Sequence, residues 1–438
     1  MNILYLNHYA GSPALGMEYR PYYLAREWVR AGHAVTMLAA SFSHVRAKQP
    51  QLDPNAGADG TSETIDGIAY RWFDTPAYQG NGMGRMRNIA SFLAQVWQQA
   101  DALVAELKPQ VVIASSTYPM DIWIAQRLAR KAGAKLVFEV HDLWPLSPIE
   151  LSGMSPWHPF ALICSSAERA AYRDADVVVS MLPKVHEHMA SRGLDLKKLV
   201  IVPNGISPEE WDGRPEPLKA EVAACIGAAH RAGRHVVGYA GSMGRPNALD
   251  TLLDGAKLLA DSPVEFVLVG DGHERERLVR RIEQEGLSAR VHWCGTIPKA
   301  QIPSFLAAIE VAYIGWQRVP IYRFGIAPNK LMDYMMAGCP VLHAVEAGND
   351  PVAEAGAGIT VPPESPEAVA EGVKRLLGLP AATRKAMGKR GRTFVLAEHA
   401  YPVLAKRFLA ACMPSAPRPG QSTIQGLPPR PSQSPRRP

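Results

Sequence analysis

The feature that most constrains this chain is a rhythm of short β-branched runs alternating with amphipathic stretches, repeated in two series. In the first series residues 3–6 read as a strand, 22–31 as a helix closed by Gly32, and 34–40 as the next strand. Glycine suits that closing position because a left-handed backbone costs it least. Strand 111–115, helix 120–132 with its Gly133, and strands 135–140, 177–181 and 199–202 continue the pattern. Two insertions, 49–84 and 143–159, interrupt it. The second series runs through strand 235–239, helix 247–260, strand 264–269, helix 274–286 and strand 291–294. Helix 299–308, strand 311–314, helix 328–337, strand 340–344 and helix 366–377 complete it. Apolar strands spaced by helices imply parallel sheets covered on both faces. The expected fold class is α/β, two doubly wound units whose ligands bind at the carboxyl ends of the strands. Facing each other, the units would share one cleft.

The expected organisation is a first domain over 1–205, a linker over 206–233 and a second domain over 234–395. A C-terminal helix over 396–412 is expected to pack back on the first domain, followed by a tail over 413–438. The tail carries eight prolines and Arg418, Arg430, Arg436 and Arg437 with no acidic residue, a disordered composition. Those arginines supply four of the net charges of +6, leaving about +2 for the rest. That argues against a nucleic-acid partner, which needs basic charge concentrated on a folded face. Cys164, Cys225, Cys294, Cys339 and Cys412 are scattered and odd in number, without a Cys-x-x-Cys pair. They speak against a disulfide framework or a zinc site and fit a reducing compartment. The opening Met1-Asn2-Ile3-Leu4-Tyr5-Leu6 lacks a basic segment ahead of its short apolar run. No signal peptide or membrane span is expected, and the expected location is cytoplasmic.

Several loops at the carboxyl ends of strands carry chemistry. The first strand empties into a loop ending at Gly16-Met17, ahead of a helix where an anion can sit. A structural turn explains that loop equally well, and it lacks the Gly-x-Gly-x-x-Gly fingerprint of dinucleotide binding. His141-Asp142 follow strand 135–140. The histidine is either a site residue oriented by Asp142 or one satisfied within the core. In the second half Gly241 and Ser242 let backbone amides approach a phosphate, and Arg245 adds a planar cation suited to a diphosphate. Gly270, and Thr296-Ile297 after Gly295, hold the same position at later strands, although each alone reads as a tight turn. The richest stretch is Tyr322-Arg323-Phe324-Gly325-Ile326-Ala327-Pro328-Asn329-Lys330-Leu331-Met332-Asp333. A glycine loop leads there into a helix on which Lys330 and Asp333 stand one turn apart on a shared face. The lysine suits phosphate and the acid suits ribose hydroxyls. A surface ion pair is the bland alternative. Asp174-x-Asp176 matches an Asp-x-Asp metal motif superficially, but it lies between a helix and a strand, where acids cap turns.

On these residues the chain resembles the family 4 glycosyltransferases, whose GT-B fold sets two Rossmann-like domains face to face. The resemblance covers roughly residues 1–410. Many members carry a Glu-x7-Glu motif in which Glu-Gly-Phe-Gly leads to a second Glu and then Ala-x-Ala-x-Gly-x-Pro-Val. Phe324-Gly325 and Ala337-Gly338-Cys339-Pro340-Val341 keep that frame, while Tyr322 and Lys330 stand at the two glutamate positions. Asp333 then becomes the candidate for the ribose. Pro328-Asn329-Lys330-Leu331, the Asn7–Pro13 run, Gly16-Met17-Glu18-Tyr19-Arg20, His141-Asp142-Leu143-Trp144-Pro145 and Pro203-Asn204-Gly205-Ile206 resemble a branch that includes the WbuB-type transferases.

The resemblance implies transfer of a sugar such as N-acetyl-L-fucosamine from a UDP-linked donor to an undecaprenyl-diphosphate-linked saccharide, in O-antigen or capsule assembly. It implies no metal and no cofactor, the nucleotide sugar being a substrate. His141 becomes the candidate catalytic residue. The candidate donor-binding residues are Gly16, Gly241, Ser242, Arg245, Gly270, Thr296, Ile297, Tyr322, Phe324, Gly325, Ile326, Ala327, Pro328, Lys330 and Asp333. Glu18, Tyr19, Arg20 and Asp142 are the candidate acceptor contacts. Residues 144–160, rich in Pro, Trp and Leu and followed by Arg169 and Arg173, either rest peripherally on the cytoplasmic face of the inner membrane or form an internal lid. The rival readings are a sugar-nucleotide 2-epimerase and a subunit that kept the fold without activity.

Overall fold

The run Val111–Ala114 is buried along its whole length, with apolar neighbours on both faces. Strands of this kind pair in parallel and need helices above and below. The computed structural model describes residues 1–16, 19–53, 61–80 and 82–413. Its first sheet comprises β1 (Asn2–Leu6), β2 (Ala34–Ala40), β3 (Thr61–Ile65), β4 (Ile68–Phe73), β5 (Val111–Ala114), β6 (Lys135–Val140), β7 (Val177–Ser180) and β8 (Leu199–Ile201). They lie in the order β3-β4-β2-β1-β5-β6-β7-β8, parallel except where β3 meets β4. The second sheet holds β9 (His235–Ala240), β10 (Val264–Val269), β11 (Val291–Trp293), β12 (Val311–Gly315), β13 (Val341–Ala344) and β14 (Gly358–Thr360). Its order is β11-β10-β9-β12-β13-β14, parallel throughout. Strand order reverses beside β1 and beside β9, which makes those carboxyl ends the crevices for ligands.

Several expectations need correction. The insertion 49–84 carries β3 and β4, which extend the sheet because Ile68, Tyr70 and Trp72 alternate inward. Helices Met83–Gln98 and Ala100–Leu107 follow, and the insertion 143–159 holds helix Leu146–Ser152. The expected linker 206–233 contains helix Ala220–Arg231, whose Val222, Ile226 and Ala229 pack into the second domain. Its spacing gives one apolar face, but the neighbouring alanines blur that signal in the sequence. The C-terminal helix begins at Tyr401 and not at 396, because 396–398 end the preceding helix. Ala381–Glu398 buries Val395 in the second domain, and only Tyr401–Cys412 lies on the first. Asp174 and Asp176 serve local structure: Asp176 accepts from the Leu136 amide at 2.8 Å, and Asp174 pairs with Arg173. Glu18 and the tail beyond Met413 lie outside the described residues.

The chain crosses between domains twice, and the crossings are bonded to each other. The Ile206 amide donates to the His399 carbonyl at 2.9 Å, and the Tyr401 amide to the Ile206 carbonyl at 3.0 Å. A side chain on Gly205 would strike the His399 carbonyl at 2.5 Å, so the close approach needs glycine. Beyond the second crossing, helix Tyr401–Cys412 packs beside helix Tyr19–Arg30. Trp28 Nε1 donates to the Ala405 carbonyl at 3.1 Å, and the Trp28 and Phe408 rings meet edge-on.

Candidate active site

The cleft between the domains has a cavity of about 450 Å³. Thr117, His141 and Asp142 line it from the first domain, Asn329, Asp333 and Lys299 from the second, and Asn204–Ser207 from the crossing. His141 stands at the end of β6 because that strand delivers its last residues to the ligand edge. The ring is buried, and its Nε2 lies 2.9 Å from Ser115 Oγ and 3.4 Å from Glu139 Oε2. Asp142 beside it is exposed at the cleft.

Arg20 and Tyr19, two of the expected acceptor contacts, both line this cavity, and Arg20 is also anchored inside the protein. Its Nε donates to Glu139 at 2.9 Å, and its two Nη groups donate to the Pro203 and Val202 carbonyls at 2.5 and 2.7 Å. Burial alone would raise the Glu139 carboxyl. Arg20, His141 and Ser115 outweigh burial and hold it well below the usual carboxylate range. Tyr19 faces Lys299, whose ammonium sits 4.8 Å above its ring.

On the opposite wall, Lys330 enters from the first turn of helix Asn329–Met336 and reaches back to the loop after β9. Its Nζ donates to Tyr239 Oη at 3.0 Å and Asn247 Oδ1 at 2.5 Å. Among the described residues it forms no ion pair, and burial pushes its ammonium down to about 8. An enclosed ammonium whose partners here are a phenol and an amide costs free energy that an anion beside it would offset. Gly241 makes the approach possible, since a Cβ there would lie 3.1 Å from Lys330 Nζ. Asp333 lines the cavity one turn along. Burial pushes its carboxyl up to about 7, with Lys299 opposing and Glu210 adding to the rise. Counted forward from Phe324-Gly325, the second motif glutamate falls on Lys330. Counted back from Gly338-Cys339-Pro340, it falls on Asp333, the side chain that faces the cavity.

The other expected donor contacts divide. Ser242 and Arg245 are exposed on the loop after β9, where Asn247 and not Arg245 touches Lys330. Gly270 is a packing position: a Cβ there would overlap the Gly241 carbonyl at 1.8 Å. Gly16 gives its amide to the Ser12 carbonyl at 2.8 Å and lies against Ala47. The Thr296 carbonyl accepts from Lys219, and Ile297 packs against the second domain's core.

The segment before the helix makes contacts both within the second domain and across to the first. The Tyr322 ring lies against Trp316, and its carbonyl accepts from Gly325 and Gly348. Arg323 grips Glu150 of the first domain through two bonds, at 2.8 and 2.7 Å. The Phe324 carbonyl accepts from the Lys184 amide at 2.9 Å, and the Ala327 carbonyl from Asn204 at 3.0 Å. Gly325, at φ 97°, leaves no room for a Cβ beside Pro183. Ile326 exchanges both backbone bonds with the Asn349 amide, and Pro328 occupies the helix N-cap.

Sequence reasoning missed Ser115, Glu139, Tyr239, Asn247, Lys299 and Glu210. Glu139 carried a usable signal, standing two residues before His141 and so on the same side of one strand. The others are joined to the site only by folding.

Two largely parallel sheets presenting their ligand edges to one cleft define the GT-B fold, and this chain has it. Residues 16–205 match the Glycosyl transferase 4-like domain, and residues 234–378 match Glycosyl transferases group 1, so the chain belongs to the glycosyltransferases built from these two domains. It is 25% identical over 346 residues to the probable glycosyltransferase WbjE of Pseudomonas aeruginosa, covering 75% of this chain and 81% of that one. It is 22% identical over 267 residues to the putative colanic acid biosynthesis glycosyl transferase WcaI of Escherichia coli K12, covering 58% and 62%. Among solved structures, Anabaena HepE in complex with UDP aligns with a TM-score of 0.64 at 15% identity, covering 94% of this chain and 99% of that one. WaaG, a glycosyltransferase involved in lipopolysaccharide biosynthesis, aligns with a TM-score of 0.59 at 14% identity, covering 93% and 98%. No helix among the described residues is long and apolar enough to cross a membrane.

Proposed function

We propose that the protein moves a sugar from a UDP-linked donor to a lipid-diphosphate-linked saccharide in the assembly of a surface polysaccharide. The observation that carries this reading is the Lys330 ammonium, enclosed at the ligand edge of the second sheet without a counter-ion among the described residues. Transfer builds negative charge on the departing diphosphate, and a cation already in place lowers the barrier most where water is excluded. Lys330 and the N-terminus of its helix supply that field, Asp333 takes the ribose hydroxyls, and His141 faces the sugar from the other wall. A relative named for colanic acid biosynthesis supports the pathway, and a fold neighbour solved with UDP supports the donor class. The sugar is an N-acetylated deoxyhexose such as N-acetyl-L-fucosamine, a reading supported by the branch resemblance around Lys330 and His141. Incubation with UDP- and GDP-sugars and an undecaprenyl-diphosphate-linked GlcNAc should yield an extended lipid with UDP-N-acetyl-L-fucosamine. Release of free sugar without an extended lipid would overturn the proposal.

Donor binding should be tightest between pH about 7 and about 8, the values of Asp333 and Lys330. Below that window Asp333 is protonated and cannot accept from both ribose hydroxyls. Above it Lys330 loses the charge that holds phosphate. Each limb should approach about a tenfold loss of UDP affinity per pH unit. In calorimetric titrations, Asp333→Asn should remove the acid limb and Lys330→Arg the alkaline one. A flat profile in the unaltered protein would rule out both roles.

The acceptor's lipid fits the surface around helix Leu146–Ser152. Trp157 is 81% exposed there, and Leu151, Leu162 and Ile163 are exposed nearby. Beside them a groove of about 360 Å³ runs between Pro145, Ile149 and Leu162, with Arg169 at its side. Such a surface rests on a bilayer through its apolar tips and meets anionic headgroups through its cations. Phe160 does not belong to it, since its ring packs on Trp144. The double variant Trp157→Ala/Leu162→Ser should sediment much less with anionic vesicles in a co-sedimentation assay, while Phe160→Ala should lose stability instead. Equal sedimentation of the double variant and the unaltered protein would refute the docking surface.

A further inference from the structure

Beneath the cleft floor lies a sealed ionic group to which the transfer chemistry above gives no role. Glu139 is fully buried in β6, where an unneutralised carboxylate would be costly. Oε1 accepts from Arg20 Nε at 2.9 Å. Oε2 accepts from Tyr5 Oη at 2.5 Å and from Ser115 Oγ at 2.6 Å. Ser115 Oγ also stands 2.9 Å from His141 Nε2. A serine hydroxyl has one proton, and here Glu139 receives it. The proton between Ser115 and His141 therefore belongs to Nε2, which is also 3.4 Å from Glu139 Oε2.

We infer that Glu139 and Ser115 are positioning residues for His141, fixing it as the Nε2–H tautomer and stabilising a second proton on Nδ1. This inference rests on the reading of His141 as a residue of the transfer site. Nδ1 is then the nitrogen whose protonation changes. In its loaded form the ring is an imidazolium at the wall of the cleft; in its empty form it is neutral. A carboxylate behind the ring favours the loaded form, as in any paired histidine. The other charged groups around the ring are Asp142 beside it, Asp121 from the start of helix Asp121–Ala132, and Arg20, which faces Glu139 from helix Tyr19–Arg30. Tyr5 on β1 is neutral, because burial and Glu139 both raise it. Arg20 opposes the effect of Glu139 only in part, since it lies on the far carboxylate oxygen.

The test uses the full chain labelled with ¹⁵N-histidine, with His141 assigned among the 13 histidines by its absence in His141→Gln. Long-range ¹H–¹⁵N spectra should show Nε2–H at high pH. In Glu139→Gln the His141 titration should fall by about one pH unit or more, the usual effect of removing an adjacent opposite charge. Turnover of donor and acceptor should fall in that variant about tenfold, with the donor KM little changed and the acid limb of the kcat profile shifted with the ring. Ser115→Ala tests the tether without leaving a buried charge unpaired, and should give a mixture of tautomers in a folded protein. Asp121→Asn should leave the effect of Glu139 intact. A His141 tautomer and titration that are unchanged in both folded variants would overturn the inference. Altered spectra with unaltered turnover would uphold the positioning role and instead refute the place of His141 in transfer.

Discussion

Replacing Lys330 by methionine is expected to raise the thermal stability of the unliganded protein and to abolish its stabilisation by UDP. The ammonium titrates at about 8 in the fold against 10.5 for a free lysine, so enclosing its charge costs about 3 kcal/mol near neutral pH. Methionine has nearly the same length and no charge to desolvate. Removing even half of that cost should raise the midpoint of the second domain by roughly 3–6 °C. The unaltered protein should gain about 2.7 kcal/mol from UDP at a hundred times its Kd, whereas the methionine variant should gain almost nothing. The sign of the pH dependence follows from the same shift. Above about 8 the folded lysine is neutral while the unfolded chain still binds the proton. Stability therefore rises with pH from about 8 until the free lysine also loses its proton, and the variant lacks that rise. Scanning calorimetry with and without UDP measures all three effects. A variant that is less stable yet still gains from UDP would show that Lys330 is structural.

Replacing Arg20 by alanine should be the most damaging single change in the first domain. It leaves Glu139 buried and ionised without its cation, a loss of about 3–5 kcal/mol. It also frees the Val202 and Pro203 carbonyls. The effect should appear in guanidinium denaturation, while in the surviving folded fraction the KM for the acceptor stays the same. A double change, Arg20→Met with Glu139→Leu, should recover much of the stability, because the charge that needs a partner is gone. The Glu139 contribution is fully present above the ordinary carboxylate pKa and disappears as pH falls through its much lower folded value. A raised acceptor KM without loss of stability would instead assign Arg20 to acceptor binding.

Arg20 marks where the sequence stops being informative. Its cation was visible, but its partner lies 119 residues away, and nothing local distinguishes an exposed arginine from a buried one. The strands were legible because apolar runs report burial directly, as in β5 and β10. The helix Ala220–Arg231 was not, because alanine serves core and surface alike. At the site, helical spacing brought Lys330 and Asp333 to attention together. It could not show that Lys330 turns toward Tyr239 while Asp333 faces the cavity, since that depends on how the helix meets β9. The segment Tyr322–Pro328 was legible as important but not in its role, because its contacts with Lys184, Glu150 and Asn204 belong to the other domain.

The paired crossings have a consequence for biosynthesis. The first domain receives its last helix, Tyr401–Cys412, only after the whole second domain has left the ribosome. Until Ala405 emerges, the Trp28 indole has no carbonyl to meet, and the apolar face beside Tyr23 and Trp28 stays open. At ordinary elongation rates of about 5–20 residues per second, the intervening 200 or so residues take roughly 10–40 s. The nascent chain must therefore shelter an unfinished domain for that interval while the second domain, made later, completes its fold first.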